Sequence, residues 1–419
     1  MSRFIIEGNR NLSGEIKVAG NKNAALPIIA ATVLTDEPCI LENLPDISDV
    51  RSMLAILSDL GKSVEMLSAH KCQITGSVNK SRLNDKLAST LRASILYLSV
   101  LLARTGEVEM VPPGGCVIGR RKVDQHFDAL QALGVKVNII EHGYRLILKR
   151  PKPNYVFLRE ASVTATENAM MLAAMTEGKT TLDNAAGEPH VQDLAKVLVK
   201  MGAKIQGAGT NRLTITGTKK LKGFRHRIMP DHIEAGTFAI AAACTGGEVV
   251  IHDANRENLT IINLVLDQMR VKLSFLDEKT LVIKPSKNIR AIPKVQVGVW
   301  PGFPTDLMSP MVVLATQARG TTLCHDWMYE SRMFFVDKLV TMGAQIVQCD
   351  PHRVLVSGPT RLKGQEIVSP DIRAGIALVI AALIARGKSK IEKAELIDRG
   401  YEDIVPRFRQ LGAEINREQ

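Results

Sequence analysis

One short phrase recurs through this chain and constrains its fold more tightly than composition does. An apolar residue, a glycine, two further residues and another apolar one occur at Leu60-Gly61, Leu133-Gly134, Met201-Gly202, Met342-Gly343 and Leu411-Gly412. A degenerate copy, Met269-Arg270, lies in the one long gap. Glycine after the last helical residue adopts the left-handed backbone that ends a helix, so the phrase closes a helix and opens a strand. The copies lie roughly 70 residues apart, which gives six units, and a fixed internal period decides architecture.

Each unit carries a second helix that is apolar nearly all round: 24–34, 93–103, 168–176, 234–244, 310–316 and 374–385. A helix apolar on every face is buried on every face. Gly106, Gly178, Gly247, Gly320 and Gly387 follow five of them and are expected at the position just past the helix end. A short β-rich run such as Glu248-Val249-Val250-Ile251 comes next. An amphipathic helix such as 191–200 then leads through its glycine into a hairpin, for example Lys204-Ile205 to Leu213-Thr214-Ile215. The unit reads β-α-β-α-β-β. Buried helices with strands outside invert the usual α/β barrel, and six units form two lobes of three. The expected fold is a two-lobed, inside-out α/β barrel, with residues 1–21 plus 230–419 in one lobe and 22–229 in the other. A chain of 419 residues is also too long for one simple core.

Hydrophobic residues at 45% and charged ones at 23% match a soluble globular protein. The longest apolar runs, such as 375–385, fall short of the roughly 20 residues a bilayer requires. Residues 1–7 lack the apolar region of an export signal, so a cytoplasmic location is expected. The six cysteines show no C-x-x-C spacing, which argues against zinc and against a disulfide framework. A net charge of +11 invites a nucleic-acid reading, but aromatics are only 4% and the cations are scattered. Stacking platforms for single strands need aromatics beside basic residues. The positive balance suits anionic small substrates.

Two features carry chemistry. The segment Pro112-Pro113-Gly114-Gly115-Cys116-Val117-Ile118-Gly119-Arg120-Arg121 sets a thiol on a glycine-hinged loop beside two arginines. Adjacent cations favour thiolate, and the glycines let the loop fold over a ligand. Polar residues also gather at the starts of the six buried helices: Lys22-Asn23, Arg92, Ser162-Val163-Thr164, His232 with Glu234, Asp306, and Asp371 with Arg373. Helix N-termini offer unpaired N–H groups and partial positive charge, which makes them anion sites. Ser162 and Asp371 also suit ordinary N-capping. Lys22, Arg92 and Arg373 oppose the helix dipole and point to a bound anion.

The phrases Gly20-Asn21-Lys22-Asn23-Ala24-Ala25-Leu26-Pro27, Leu91-Arg92-Ala93-Ser94, Pro113-Gly114-Gly115-Cys116, Phe303-Pro304-Thr305-Asp306, Asp371-Ile372-Arg373-Ala374 and Ile397-Asp398-Arg399-Gly400-Tyr401-Glu402 together resemble the UDP-N-acetylglucosamine 1-carboxyvinyltransferases, end to end. These are enolpyruvyl transferases of peptidoglycan precursor synthesis. The resemblance implies that phosphoenolpyruvate and UDP-N-acetylglucosamine react by addition and then elimination of phosphate, with no metal or organic cofactor. It gives Cys116 the role of proton donor toward the enol methylene and of carrier of a phospholactoyl adduct. Lys22, Arg121 and Arg399 correspond to the cations that hold phosphoenolpyruvate, and Asp306 to the general base at the sugar 3-hydroxyl. Asn23, Arg92, Arg121, Lys122, Val123, Asp124, Gln125, Ser162, Val163, Thr164 and Met328 fall where the family binds the nucleotide sugar. Asp371 and Arg373 correspond to residues that steer the loop and the intermediate.

The departures gather on the nucleotide-sugar side. Lys122 and Gln125 replace Pro and Leu, Thr164 replaces Gly, and His190 replaces the second acid of Glu-Pro-Glu. Met308 replaces a Gln, and His232 replaces the Arg of Pro-Asp-Arg-Ile. The competing expectations are an enolpyruvyl transferase for another nucleotide acceptor such as UMP, and a paralog that binds nucleotide sugar without turning it over.

Overall fold

The computed structural model describes residues 2–115, 119 and 122–419. Cys116, Val117, Ile118, Arg120 and Arg121, which include two of the expected site residues, lie outside the described residues. The chain divides into two compact units, one holding the described residues of 1–19, 117–120 and 230–419, the other those of 20–116 and 121–229. Each has its own hydrophobic core. The recurring phrase ends a helix in all six places. Gly61, Gly134, Gly202, Gly343 and Gly412 have φ between 87° and 120°, and Arg270 takes the same left-handed backbone at 63° despite its side chain.

The all-apolar segments are helices α1 Lys22–Ala31, α2 Tyr97–Thr105, α3 Val163–Ala174, α4 His232–Thr245, α5 Met308–Gln317 and α6 Ile372–Ile384. In α4, α5 and α6 nearly every residue is buried, as a helix surrounded on all sides requires. The expected glycine stops need correction. Gly106 does cap α2 with a left-handed backbone, but α4 is capped by Gly246 and not Gly247. After α5 and α6 an extended alanine, Ala318 or Ala385, leaves the helix first. Gly320 then opens the strand Gly320–His325, and Gly178 likewise opens Gly178–Asp183 after α3. These glycines serve the start of the next strand.

Among the described residues there are three sheets in each unit. In the 20–229 unit the order of one is Tyr155–Phe157, Gly178–Asp183, Arg212–Gly217, Lys204–Gln206, with the first pair parallel and the others antiparallel. The regular β-α-β-α-β-β reading fails in three places. The sheet Glu107–Met110, Gly143–Ile147, Lys136–Ile140 lacks a first strand, of which a single parallel bridge, Arg82 to Glu109, remains. The sheet beside α6 takes its inner antiparallel strand from Arg3–Glu7, between Lys388–Glu392 and Glu414–Glu418. Third, two strands change places. Gly14–Lys17 precedes α1 in sequence but pairs with Val249–His252, which follows α4. Phe224–Arg227 precedes α4 but pairs with Cys39–Glu42, which follows α1. Periodicity reveals that a strand exists, not which sheet receives it.

Candidate active site

The unit of residues 1–19 and 230–419 brings Asp306, Asp371 and Arg373 together. Asp371 is the N-cap of α6, its Oδ1 accepting from the Arg373 and Ala374 amides at 2.8 and 3.1 Å. This fixes the first turn and aims Arg373 along it. Asp306, on the 3₁₀ turn Thr305–Leu307, accepts from Arg373 Nη2 at 2.7 Å and from Arg332 Nη2 at 3.3 Å. It is not the cap of its turn, which starts at Pro304 without a side-chain cap bond. The two arginines are almost fully buried, whereas the Asp306 side chain keeps 24% of its surface accessible. Both guanidiniums also lie over aromatic rings, Arg373 over Tyr401 at 5.4 Å and Arg332 over Tyr329 at 5.2 Å. Burial pulls the Arg373 pKa down, but the Asp306 carboxylate beside it prevails and holds it above its ordinary value.

Asp326 forms the floor. It is fully buried and accepts from the Met328 and Tyr329 amides at 3.0 and 3.2 Å and from the Thr305 hydroxyl. It thereby ties the turn bearing Asp306 to the segment bearing Met328 and Arg332. Burial raises its pKa, against the pull of those hydrogen bonds and of Arg332. Sequence reasoning missed Arg332 and Asp326. The available signal was an arginine directly before the apolar run 333–336, where a cation drawn inward needs a carboxylate. Arg399 ends the 3₁₀ helix Ala394–Arg399, which lies directly on α6: a Cβ at Gly375 would collide with Ser369 and Ile397. Glu234, expected beside His232 at the site, is instead held by Arg407 and by the Ala19 amide. His232 is buried, and burial pushes its pKa down to about 4, Arg373 adding to that and Asp306 opposing it.

In the unit of residues 20–229 the expected site residues rest on one buried ion pair and on neutral hydrogen bonds. Asn21 caps α1, accepting from the Ala24 amide at 2.9 Å, and Asn23 is half-buried in the first turn. Lys22 Nζ lies 2.7 Å from Asp49 Oδ2, both nearly buried, so a protein carboxylate faces this cation. The same holds for Arg373, so at both residues a protein carboxylate already offsets the cation that the helix dipole opposes. Arg92 Nη2 donates to the Lys122 carbonyl at 3.1 Å. Val123 starts the helix Asp124–Ala132, where the Asp124 carboxylate suits the positive helix end. Ser162 caps α3 through the Ala165 amide at 3.4 Å, with Val163 and Thr164 in the first turn.

A neutral network joins these pieces. Asn168 Nδ2 donates to the Ile95 carbonyl at 3.1 Å and to His126 Nδ1 at 2.9 Å, while its Oδ1 accepts from the Ser99 amide. The backbone partners fix the amide orientation, so His126 accepts at Nδ1 and carries its proton on Nε2. That proton faces the Thr164 hydroxyl at 3.2 Å. The hydroxyl of the β-branched Thr164 is thus engaged by a histidine. Neither His126 nor Asn168 stood out in the sequence, since each falls inside a helix with no motif of its own. Of the other departures, Met308 is fully buried in α5, and His190 is buried in the helix Pro189–Met201.

The fold is that of the enolpyruvyl transferases. The chain superimposes on the enolpyruvyl transferase NikO from Streptomyces tendae with a TM-score of 0.90 at 24% identity, over 99% of this chain and 98% of that one. An EPSP synthase from Acinetobacter baumannii gives 0.79 at 19% identity over both full lengths. Residues 6–408 match the family model of EPSP synthase (3-phosphoshikimate 1-carboxyvinyltransferase), and the chain belongs to that family of transferases. Among its relatives, the UDP-N-acetylglucosamine 1-carboxyvinyltransferase of Treponema denticola is 48% identical over 99% of both chains. That of Treponema pallidum is 46% identical over both full lengths. No helix among the described residues is long and apolar enough to cross a membrane.

Proposed function

We propose that this protein transfers the enolpyruvyl group of phosphoenolpyruvate to the 3-hydroxyl of UDP-N-acetylglucosamine, releasing phosphate, in the first committed step of peptidoglycan precursor synthesis in the cytoplasm. We read its fold as the six-repeat, inside-out barrel. The observation that carries the proposal is the Asp306 cluster, a reachable carboxylate held in place by two buried guanidiniums. In the proposed reaction Asp306 accepts the proton of the sugar 3-hydroxyl as its oxygen adds to C2 of phosphoenolpyruvate, while C3 takes a proton from Cys116. A proton then leaves C3, the C2–O bond to phosphate breaks, and the enol ether remains. Lys22, Arg121 and Arg399 offset the charge of phosphoenolpyruvate. Asn23, Arg92, Lys122 to Gln125, Ser162 to Thr164 and Met328 hold the nucleotide sugar, and Asp371 orients Arg373.

The test is phosphate release with phosphoenolpyruvate and UDP-N-acetylglucosamine, UDP or UMP as acceptor. Turnover confined to UDP-N-acetylglucosamine is expected. Preference for UMP would transfer the chemistry to another acceptor, and no turnover with any acceptor would leave a binding protein. An epoxide phosphonate should alkylate Cys116. Burial raises Cys39 to about 11 and Cys72 and Cys324 to about 12, and Cys244 higher still, so these are poor nucleophiles. The exposed Cys349 is the internal control.

A further inference from the structure

His232 stands in the first turn of α4, 5% exposed, where the resemblance leads one to expect an arginine. Its ring meets Trp300 edge to face, with centroids 6.4 Å apart. The charged groups facing it are Asp306 from the 305–307 turn and Arg373 from the start of α6. On its own helix, Asp231 is occupied as the N-cap, accepting from the Ile233 and Glu234 amides, and Glu234 is held by Arg407. Beyond Asp306 lie Arg332 and its ion-pair partner Asp326, and beyond Arg373 the Tyr401 ring.

We propose that His232 is a positioning residue for the transfer: a neutral imidazole, packed on Trp300, that adds no further cation to the Asp306 carboxylate and so preserves its basicity. The proposal rests on the reading of Asp306 as the base. Three physical features hold the ring neutral. It is removed from water, it sits at the positive end of a helix, and the Arg373 guanidinium faces it. Asp306 already accepts hydrogen bonds from two guanidiniums. Each cation stabilises carboxylate over carboxylic acid and weakens it as a proton acceptor; an arginine beside an aspartate commonly costs about 1–3 pH units of basicity. An arginine at 232 would add such a charge, and a histidine held neutral does not. This chain therefore runs the proton-abstraction step with a less heavily compensated base.

Two substitutions and one titration test this. His232→Arg should move the acid limb of the kcat–pH profile down by about one unit, and lower the plateau kcat by roughly tenfold as the base weakens. KM for phosphoenolpyruvate should stay within about twofold. His232→Gln, neutral and able to hydrogen-bond, should keep the acid limb at its wild-type position. In the wild-type enzyme, the ring nitrogen resonances of His232, assigned by their loss in His232→Gln, should show no titration between about pH 5.5 and 8. A ring that titrates in that range overturns the proposal, whether or not His232→Arg folds. So does a limb that moves equally in both variants or in neither. Asp306→Asn, measured in parallel, separates the two readings. If it keeps its kcat, the base assignment fails. If it is inactive while His232→Arg and His232→Gln behave alike, only the role of His232 fails.

Discussion

The expected site residues around Asp306 and those around Ser162 to Thr164 rest on unlike supports. Around Asp306 the support is charged: two buried guanidiniums, a fully buried aspartate beneath them and aromatic rings against both arginines. Around Ser162 to Thr164 it is mostly neutral: an asparagine amide, a histidine of fixed tautomer and a hydroxyl in series. The contrast fits the roles proposed for the two regions. A base and a developing charge need a fixed electrostatic field, and buried ions supply it only where each is matched, because an unmatched buried ion costs several kcal/mol. A pocket that binds substrate without reacting needs shape and donors, which neutral groups supply with less penalty for error.

The sharpest way to break this comparison is Asp306→Asn, which keeps size but removes basicity and one of the two oxygens that accept from Arg332 and Arg373. A general base contributes about 10²–10⁴-fold, and kcat should fall by that amount with little change in affinity for the nucleotide sugar. Arg92→Ala, in the other unit, should instead raise KM for the nucleotide sugar with a smaller effect on kcat. Steady-state kinetics on the pair decides: similar kcat losses in both would erase the proposed division of labour.

Asn168→Ala comes next. It strips a donor from His126 and from the Ile95 carbonyl and an acceptor from the Ser99 amide, all buried. Orphaned buried groups cost about 1–3 kcal/mol each, so a denaturant midpoint should show several kcal/mol of lost stability. A loss below about 1 kcal/mol would mean that the network is incidental.

Glu167→Gln should act in the opposite direction. Burial, with the charge of Glu188 adding to it, raises the Glu167 pKa well above the ordinary glutamate range, and its Oε1 has no hydrogen-bond partner among the described residues. A raised folded-state pKa means that the folded protein holds the proton more tightly than the unfolded chain. Stability from this group is complete below the unfolded value and declines as pH rises toward the folded one. Glutamine, permanently neutral, should therefore stabilise the protein at pH 8, and the gain should vanish toward pH 4. Thermal melts at the two pH values check this; a pH-independent difference would refute it. Ser162→Ala should be smallest: the cap bond is long at 3.4 Å, and the loss should be at most about 1 kcal/mol.

Much of the frame was legible beforehand because it rests on periodicity. The phrase at Gly61, Gly134, Gly202, Arg270, Gly343 and Gly412 marks a backbone state that few residues adopt freely, and even Arg270 obeys it. Helices apolar all round could only be interior. What stayed hidden was long-range. The exchange of Gly14–Lys17 and Phe224–Arg227 leaves no trace in local pattern, because a strand's alternation names its buried face and not its neighbour. In the site, Asp306, Asp371 and Arg373 stood out as polar residues opening apolar helices. Arg332 and Asp326 did not, since an arginine or aspartate in a connecting segment looks solvated until the fold buries it.

The strand exchange also bears on biosynthesis. The ribosome releases residues 3–17 early, but their pairing partners, 249–252, 388–392 and 414–418, follow only after more than two hundred further residues. At about 5–20 residues per second, that interval lasts on the order of ten seconds or more. Throughout it the strand Arg3–Glu7, with its apolar Phe4, Ile5 and Ile6, has no native partner, whereas residues 20–229 already contain every strand of their own three sheets. The nascent chain thus carries a sticky early segment while residues 20–229 complete the strands of their own sheets, and that segment gives a holding chaperone an apolar strand to protect.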